Sequence, residues 1–230
     1  MTTYNSRTLL PVPYTVYERV HGDTLELLGL DPMATPAVYR ALGRDLARLH
    51  SGVKPDGPAG HLGPPNLPQD DPDSLPEQLA VAGYFSAGEA QWLDRWLSRL
   101  VPLLQEPQAQ RFLHGDTQAT NILVRPRSLD YLALIDWGGC GWSDPALDFS
   151  GMPLRAVPAV LAGYREVAAL PDDYTAEARI LRYHAHFALV TMRNAPQPLR
   201  SWGERPLSYL LDTMRFVLDA PGPRWAALRP

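Results

Sequence analysis

Residues 111 to 124 read RFLHGDTQATNILV, which places His114, Asp116 and Asn121 just ahead of the apolar run Ile122, Leu123 and Val124. So short an apolar run reads as a buried strand, and the polar groups at its mouth can converge on a ligand. A second apolar run, YLALIDW, follows across the turn-rich stretch RPRSLD. Together the two predict a β-hairpin with a loop of about six residues. Pairing Val124 with Ala133 sets Ile122 opposite Ile135 and brings Asn121 beside Asp136. Asp116, Asn121 and Asp136 then meet at one end of the hairpin. Asn121 and Asp136 suit Mg²⁺, a hard cation that takes a carboxylate, substrate phosphates and water in preference to a full protein cage. That arrangement leaves Asp116 free to accept a proton.

The elements that must hold these groups are mainly helical. In TPAVYRALGRDLARLHSG, Val38, Leu42, Leu46 and Leu49 form one stripe, with Thr35 as N-cap and Pro36 at the first helical position. Residues 53 to 76 are dense in Pro, Gly and Asp, too polar for a core and too short for a separate domain, and read as a surface loop rather than a domain linker. The next helix opens on SAGE, where Ser86 and Glu89 fit a capping box, and runs through Trp92, Trp96 and Leu100 until Pro102 ends or kinks it. Helical periodicity returns near residues 154 to 169, 174 to 194 and 204 to 219. In SDPALDF, Asp144 can cap a helix begun by Pro145, with Asp148 one turn in. At the front, residues 8 to 20 carry β-formers interrupted by Pro11 and Pro13, which predicts one or two strands. The fold class is α+β: a largely helical body around a small hairpin, with a few strands ahead of it.

The chain has 230 residues, 45% of them hydrophobic, enough for a substantial core. Its formal charge of -4 argues against general nucleic-acid binding, which needs a basic face. The single cysteine, Cys140, forbids an intrachain disulfide and makes a cytoplasmic setting the simplest expectation; Cys140 itself fills a tight loop. No apolar run is long enough to span a bilayer, and MTTYNSRTLL lacks the basic-then-apolar pattern of a secretory signal, so no membrane partner is expected. Lys54 is the only lysine.

HGDTQATN followed by LIDWGGCGWSDPALD, in that order and spacing, resembles the aminoglycoside phosphotransferases and the related choline and homoserine kinases, which share the protein-kinase fold. The resemblance implies transfer of the γ-phosphoryl of ATP or GTP, with Mg²⁺, to a hydroxyl on a small molecule. It makes Asp116 the catalytic base, Asn121 and Asp136 the magnesium ligands, His114 the brace of the loop, and Asp148 the residue holding that loop from behind. YTVYERVHGDTL looks like the last strand of a small lobe running into the hinge. There the Glu18 carbonyl and the Val20 N–H would read adenine, Tyr17 would guard the back of the pocket, and Leu123 and Ile135 would form its apolar floor. On this view residues 1–22 are a remnant of the N-terminal lobe and hinge, and residues 23–230 form the helical catalytic and acceptor lobe.

The front of the chain departs from the family. No lysine precedes Lys54 and no glycine precedes Gly22, so the glycine-rich loop and strand lysine that clamp the phosphates are not represented. Truncation is the leading explanation, ahead of degeneration and of a half supplied by a partner chain. Weak or absent kinase activity is expected of these residues alone, and the rival function is a non-catalytic nucleotide- or ligand-binding module. Apolar surface left uncovered at the front would favour a homodimer or a partner chain.

Other motifs fall to simpler readings. A second His-Gly-Asp, at 21 to 23, has Leu28 where asparagine would be required and no following strand, so it reads as a hinge turn with Asp23 as a helix cap. His184 and His186 lie two apart on a predicted helix and face different ways, which argues against a shared metal. A P-loop needs a lysine after glycine, whereas Lys54 follows Val53. A glycosidase could use Asp116 and Asp136 but gives no reason for Asn121. The acceptor is not legible: Asp172, Asp173 and Glu177 form no diagnostic pattern.

Overall fold

The computed structural model describes residues 2–4, 14–16, 19–65, 70–103, 110–194 and 206–230. At the front, β1 (Thr2–Tyr4) pairs antiparallel with β2 (Tyr14–Val16), which falls inside the stretch read as strand. β1 carries no sequence signal, because three residues are too few to show an alternation. The second His-Gly-Asp differs from expectation: β3 (Asp23–Thr24) is a short strand, and the cap of α1 (Leu25–Leu28) is Thr24, not Asp23. The Thr24 hydroxyl accepts from the Leu27 N–H at 3.2 Å.

The long helices form as their sequences dictate. α2 (Pro36–Gly52) starts behind Thr35 with Pro36 at its first position and buries Val38, Leu42 and Leu46. α3 (Leu75–Val81) begins at the last two residues of the region read as loop and runs on past it; its Leu75 and Leu79 are fully buried, and the flanking prolines and aspartates conceal so short a period. α4 (Ala87–Leu100) opens on the anticipated capping box, with the Ser86 N–H donating to Glu89 at 2.7 Å and the Glu89 N–H to Ser86 at 3.3 Å. A 3₁₀ turn, Val101–Leu103, ends it at Pro102.

Next come β4 (Arg111–Leu113), β5 (Ile122–Val124), β6 (Tyr131–Leu134) and β7 (Gly141–Ser143). They form two small antiparallel sheets, β3-β5-β6 and β4-β7. The β5–β6 hairpin exists, but its register is one residue from the expected one: Ile122 pairs with Leu134 and Leu123 with Ala133, while Val124 pairs with Tyr131 across an irregularity. The left-handed Leu129 and the extra residue on β6 absorb the shift, and neither has a distinctive sequence mark.

The helical body is completed by α5 (Val157–Arg165), α6 (Ala176–Thr191), α7 (Pro206–Asp219) and α8 (Pro223–Ala226). α6 is the buried axis, with Ile180, Leu181, His184, Ala185, Ala188 and Leu189 in the core. Trp96 on α4 donates from Nε1 to the Leu228 carbonyl at 2.9 Å and pins the C-terminal segment. Asp173 and Glu177 are engaged by Arg165 and Arg224, so these acids serve the fold.

α2 and α5 cross at very short range. A Cβ on Gly43 would lie 2.0 Å from the Val160 carbonyl oxygen, and one on Gly163 would lie 1.9 Å from that of Arg40. Backbone cannot yield as a flexible side chain can, so the helices would have to separate. Gly163→Ala should lower stability by about 1–3 kcal/mol, read as a reduced urea midpoint, whereas Gly52→Ala, with nothing within 4 Å, should change it little.

His184 supplies a pH dependence. Its ring is fully buried and its Nε2 donates to the Phe149 carbonyl at 2.9 Å. Burial pushes its pKa from 6.5 down to about 4, against the opposing effect of that hydrogen bond. The unfolded chain therefore takes up this proton first, and stability falls as pH drops from about 6.5 to about 4. Urea midpoints across that window should decline less steeply in His184→Gln than in the parent.

Candidate active site

β4 ends at Leu113 and the chain turns sharply into the polar loop. The turn is held by Asp148, in the 3₁₀ segment Pro145–Phe149 that Asp144 caps through the Ala146 N–H at 2.9 Å. Asp148 is buried, and its two carboxylate oxygens accept from consecutive backbone groups: Oδ2 from the His114 N–H at 2.9 Å and Oδ1 from the Gly115 N–H at 2.7 Å. His50, at the end of α2, adds a third donor through Nε2 at 2.9 Å from Oδ2. A carboxylate only accepts, so the His50 proton sits on Nε2, and in the neutral ring Nδ1 receives the Tyr164 hydroxyl 3.1 Å away. Burial raises the Tyr164 pKa, which keeps that hydroxyl a donor. Thr117 closes the loop by donating to the Asp148 carbonyl.

Gly115 is required by geometry as well as conformation. Its φ is +81°, and a Cβ there would lie 2.0 Å from the Gly139 carbonyl oxygen. The loop and the turn Trp137–Gly139 thus touch backbone to backbone.

His114 is buried with both ring nitrogens occupied. Nδ1 receives the Asp116 N–H at 3.2 Å, and Nε2 donates to the Ile135 carbonyl at 3.0 Å. The edge of Trp137 packs on the ring, with centroids 4.6 Å apart. Such a ring has no lone pair left for chemistry and braces the loop.

Asp116 is half-buried, and its side chain is aimed by two amides. Gln118 donates to Oδ1, and Asn121 Nδ2 donates to both Oδ2 and the Asp116 carbonyl at 2.9 Å. Because those partners only accept, Asn121 must turn its nitrogen toward them, which leaves Oδ1 as its open acceptor. The Asn121 carbonyl accepts from the Ile135 N–H at 3.0 Å. Ile135 is therefore tied through its carbonyl to His114 and through its N–H to Asn121, and Asp136 follows immediately. Asp136 has φ 62°, in the left-handed region that aspartate tolerates better than most residues, and its exposed carboxylate caps nothing.

The structure brings His114, Asp116, Asn121, Asp148 and the residue before Asp136 into one hydrogen-bonded unit. Among the described residues neither Asp116 nor Asp136 forms an ion pair. Among them, too, no group of three or more His, Cys, Asp and Glu side chains is placed to cage a metal. The open oxygens are one amide and one or two carboxylates, a set suited to a hard cation completed by outside oxygens. On the nucleotide side, Tyr17 and Glu18 lie outside the described residues, and Val20 is exposed. The corrected register places Leu123 and Ile135 on one face of the hairpin, which the expected register would not have done. Leu123 is buried and Ile135 half-buried.

The family model described as the phosphotransferase enzyme family matches residues 2–180. The chain belongs to that family. Its fold is protein-kinase-like. A choline/ethanolamine kinase family protein from Mesorhizobium loti superposes with a TM-score of 0.56 at 14% identity, over 99% of this chain and 78% of that one. Wild-type aminoglycoside 2'-phosphotransferase-IIIa in its GDP complex does so with a TM-score of 0.55 at 16% identity, over 92% and 70%. A curated relative is human acyl-CoA dehydrogenase family member 11, 25% identical over 169 residues. That match takes in 69% of this chain, which spans 21% of the length of the relative.

Within this phosphotransferase-family chain, sequence reasoning missed His50, Tyr164 and Gln118. LARLHS contains His50, but a histidine at a helix end carries no mark of a partner in the segment Pro145–Phe149. The support role of Asp148 can be measured. Asp148→Ala would leave the His114 and Gly115 N–H groups and His50 without their acceptor, at a cost of about 3–5 kcal/mol. A lower urea midpoint should be accompanied by fast hydrogen exchange at the His114 and Gly115 amides; slow exchange there would mean that something else holds the loop.

Proposed function

We propose that the chain is a small-molecule kinase-like phosphotransferase that moves the γ-phosphoryl of ATP or GTP to a substrate hydroxyl, with residues 23–230 as the catalytic and acceptor lobe and 1–22 as the hinge side. The observation that carries this reading is the Asp116–Asn121 hydrogen bond together with the two bonds that tie Ile135, the residue before Asp136, to His114 and Asn121. Asp116 is the base: with Oδ1 and Oδ2 each engaged by one amide, its remaining lone pairs accept the proton of the acceptor hydroxyl as that oxygen attacks phosphorus. Asn121 serves twice, aiming Asp116 through Nδ2 and offering Oδ1 to a cation. Asp136 supplies the carboxylate of the cation site. Asn121 Oδ1 and the Asp136 carboxylate would hold Mg²⁺ there, and it would supply positive charge to offset that of the phosphates. His114 and Asp148 position the loop without touching substrate, and Leu123 with Ile135 form the apolar floor beneath the base of the nucleotide.

Phosphoryl transfer relies mainly on positioning and charge neutralisation. The residues present provide the acceptor half of that task, while the glycine-rich loop and strand lysine that clamp the phosphates have no counterpart in the sequence before Lys54. Turnover by these 230 residues alone should therefore be slow or undetectable. That same feature supports a second reading, a non-catalytic module that binds a nucleotide or another ligand.

The two are separated by incubating the protein with labelled ATP or GTP, Mg²⁺ and a panel of aminoglycosides, choline-like alcohols and sugars. Transfer that disappears in Asp116→Ala and falls at least ~100-fold in Asp116→Asn supports the enzyme. Silence across the panel, with Mg²⁺-dependent nucleotide binding that is lost in Asp136→Ala, supports the binding module.

A further inference from the structure

Where the end of α2 meets the β4-β7 sheet lies an open cleft of about 1100 Å³. Its walls are the end of α2, the chain that follows it, the start of β4, and Trp142 of β7. None of the residues assigned above to proton transfer, metal or nucleotide lines it.

Its electrostatics are one-sided. Lys54 and Arg111 both line the cleft, and among the described residues no aspartate or glutamate does. Ten arginines of the described chain have a carboxylate partner, yet among the described residues neither Lys54 nor Arg111 forms an ion pair. Lys54 Nζ donates to the Ser51 carbonyl at 2.8 Å and Arg111 Nη1 to the Gln110 carbonyl at 3.2 Å. Each therefore keeps most of its donors for another acceptor. The buried carboxylate of Asp148 is bonded to the His50 ring and already accepts from three donors.

The rest of the lining includes an apolar, fixed surface. Trp142 is held through Nε1 by the Ala59 carbonyl at 2.9 Å and by edge contact with Phe112, centroids 5.6 Å apart, and Leu62 and Pro64 extend that wall. A fixed aromatic surface sharing a cleft with two unneutralised cations is preorganised for a flat apolar body bearing an oxyanion.

We propose that this cleft is a second binding site, separate from the phosphotransfer site, for a small molecule that carries a phosphoryl or carboxylate group on a flat apolar body. Lys54 and Arg111 hold the oxyanion, and Trp142 with Leu62 covers the body. The proposal stands independently of the activity assigned above. Because His50 both lines the cleft and donates to Asp148, occupancy should be felt at the His114 and Gly115 amides.

Phenyl phosphate, benzoate and neutral benzyl alcohol serve as probes, followed by NMR at the Trp142 indole N–H, assigned with Trp142→Phe. The expected result is a saturable shift with one or both anions, weakened by added salt, and no comparable shift with benzyl alcohol. The stronger of the two anions identifies the oxyanion the site prefers. Affinity should fall about threefold in Lys54→Gln and about tenfold or more in Lys54→Gln/Arg111→Gln. Equal affinity for benzyl alcohol, unchanged affinity in the variants, or no saturable shift with either anion overturns the proposal. Lys54 is exposed at the end of α2, so Lys54→Gln decides the matter even if the double variant does not fold.

Discussion

The carboxylate of Asp148 is the group on which the arrangement of this site depends. It is buried, yet it receives the N–H groups of His114 and Gly115 and the Nε2 proton of His50. Two consecutive N–H groups converge on one acceptor only when the backbone turns sharply, and Gly115 supplies that turn at φ +81°. A side-chain amide in its place could offer one accepting oxygen and water could not fix the direction, whereas a carboxylate matches both N–H groups. The cost of burying its charge is offset by three donors, and the network is specific because leaving any member unpaired is expensive.

Hydrogen-bond satisfaction divides the motif into support and chemistry more sharply than residue type does. His114 and His50 have the right side chain for acid–base work, but every ring nitrogen is engaged. Asp148 differs from Asp116 in burial: it is 1% exposed and closed in by its three donors. Asp116, Asn121 and Asp136 differ: the first has one amide on each carboxylate oxygen, the second keeps Oδ1 open, and the third is exposed without a cap partner. Open lone pairs on otherwise fixed groups are what a metal or a hydroxyl proton needs.

Legibility in the sequence follows the range of the determining interaction. α2 and α4 could be read because Pro36 at the first helical position and the Ser86–Glu89 capping box are signals that act within one turn of the helix start. The 3₁₀ segment capped by Asp144 was visible for the same reason, as was the tight sequence from His114 to Asn121. The hairpin was visible but its register was not, since a one-residue slip is set by the bulge near Leu132 and the left-handed Leu129, not by the pattern of apolar residues. Thr24 takes the cap in place of Asp23 because Asp23 and Thr24 themselves pair with β5, a tertiary event. His50 is the clearest omission. Its role comes entirely from Asp148 and Tyr164, far along the chain, and nothing local distinguishes it from an ordinary histidine in a packed helix.

The ties also show which part of the machinery is self-contained. Asp116 is held by Gln118 and Asn121; Asn121 and His114 are held by Ile135; and His114 and Gly115 are held by Asp148 and, through it, by α2. Every one of these partners lies beyond residue 23. α2 is in turn locked to α5 through Gly43 and Gly163, and the Asp144 end of the 3₁₀ segment is bound to α6 by Arg179. Among the described residues, the bonds that fix Asp116, Asn121 and the residue before Asp136 are therefore made by partners from residue 50 onward.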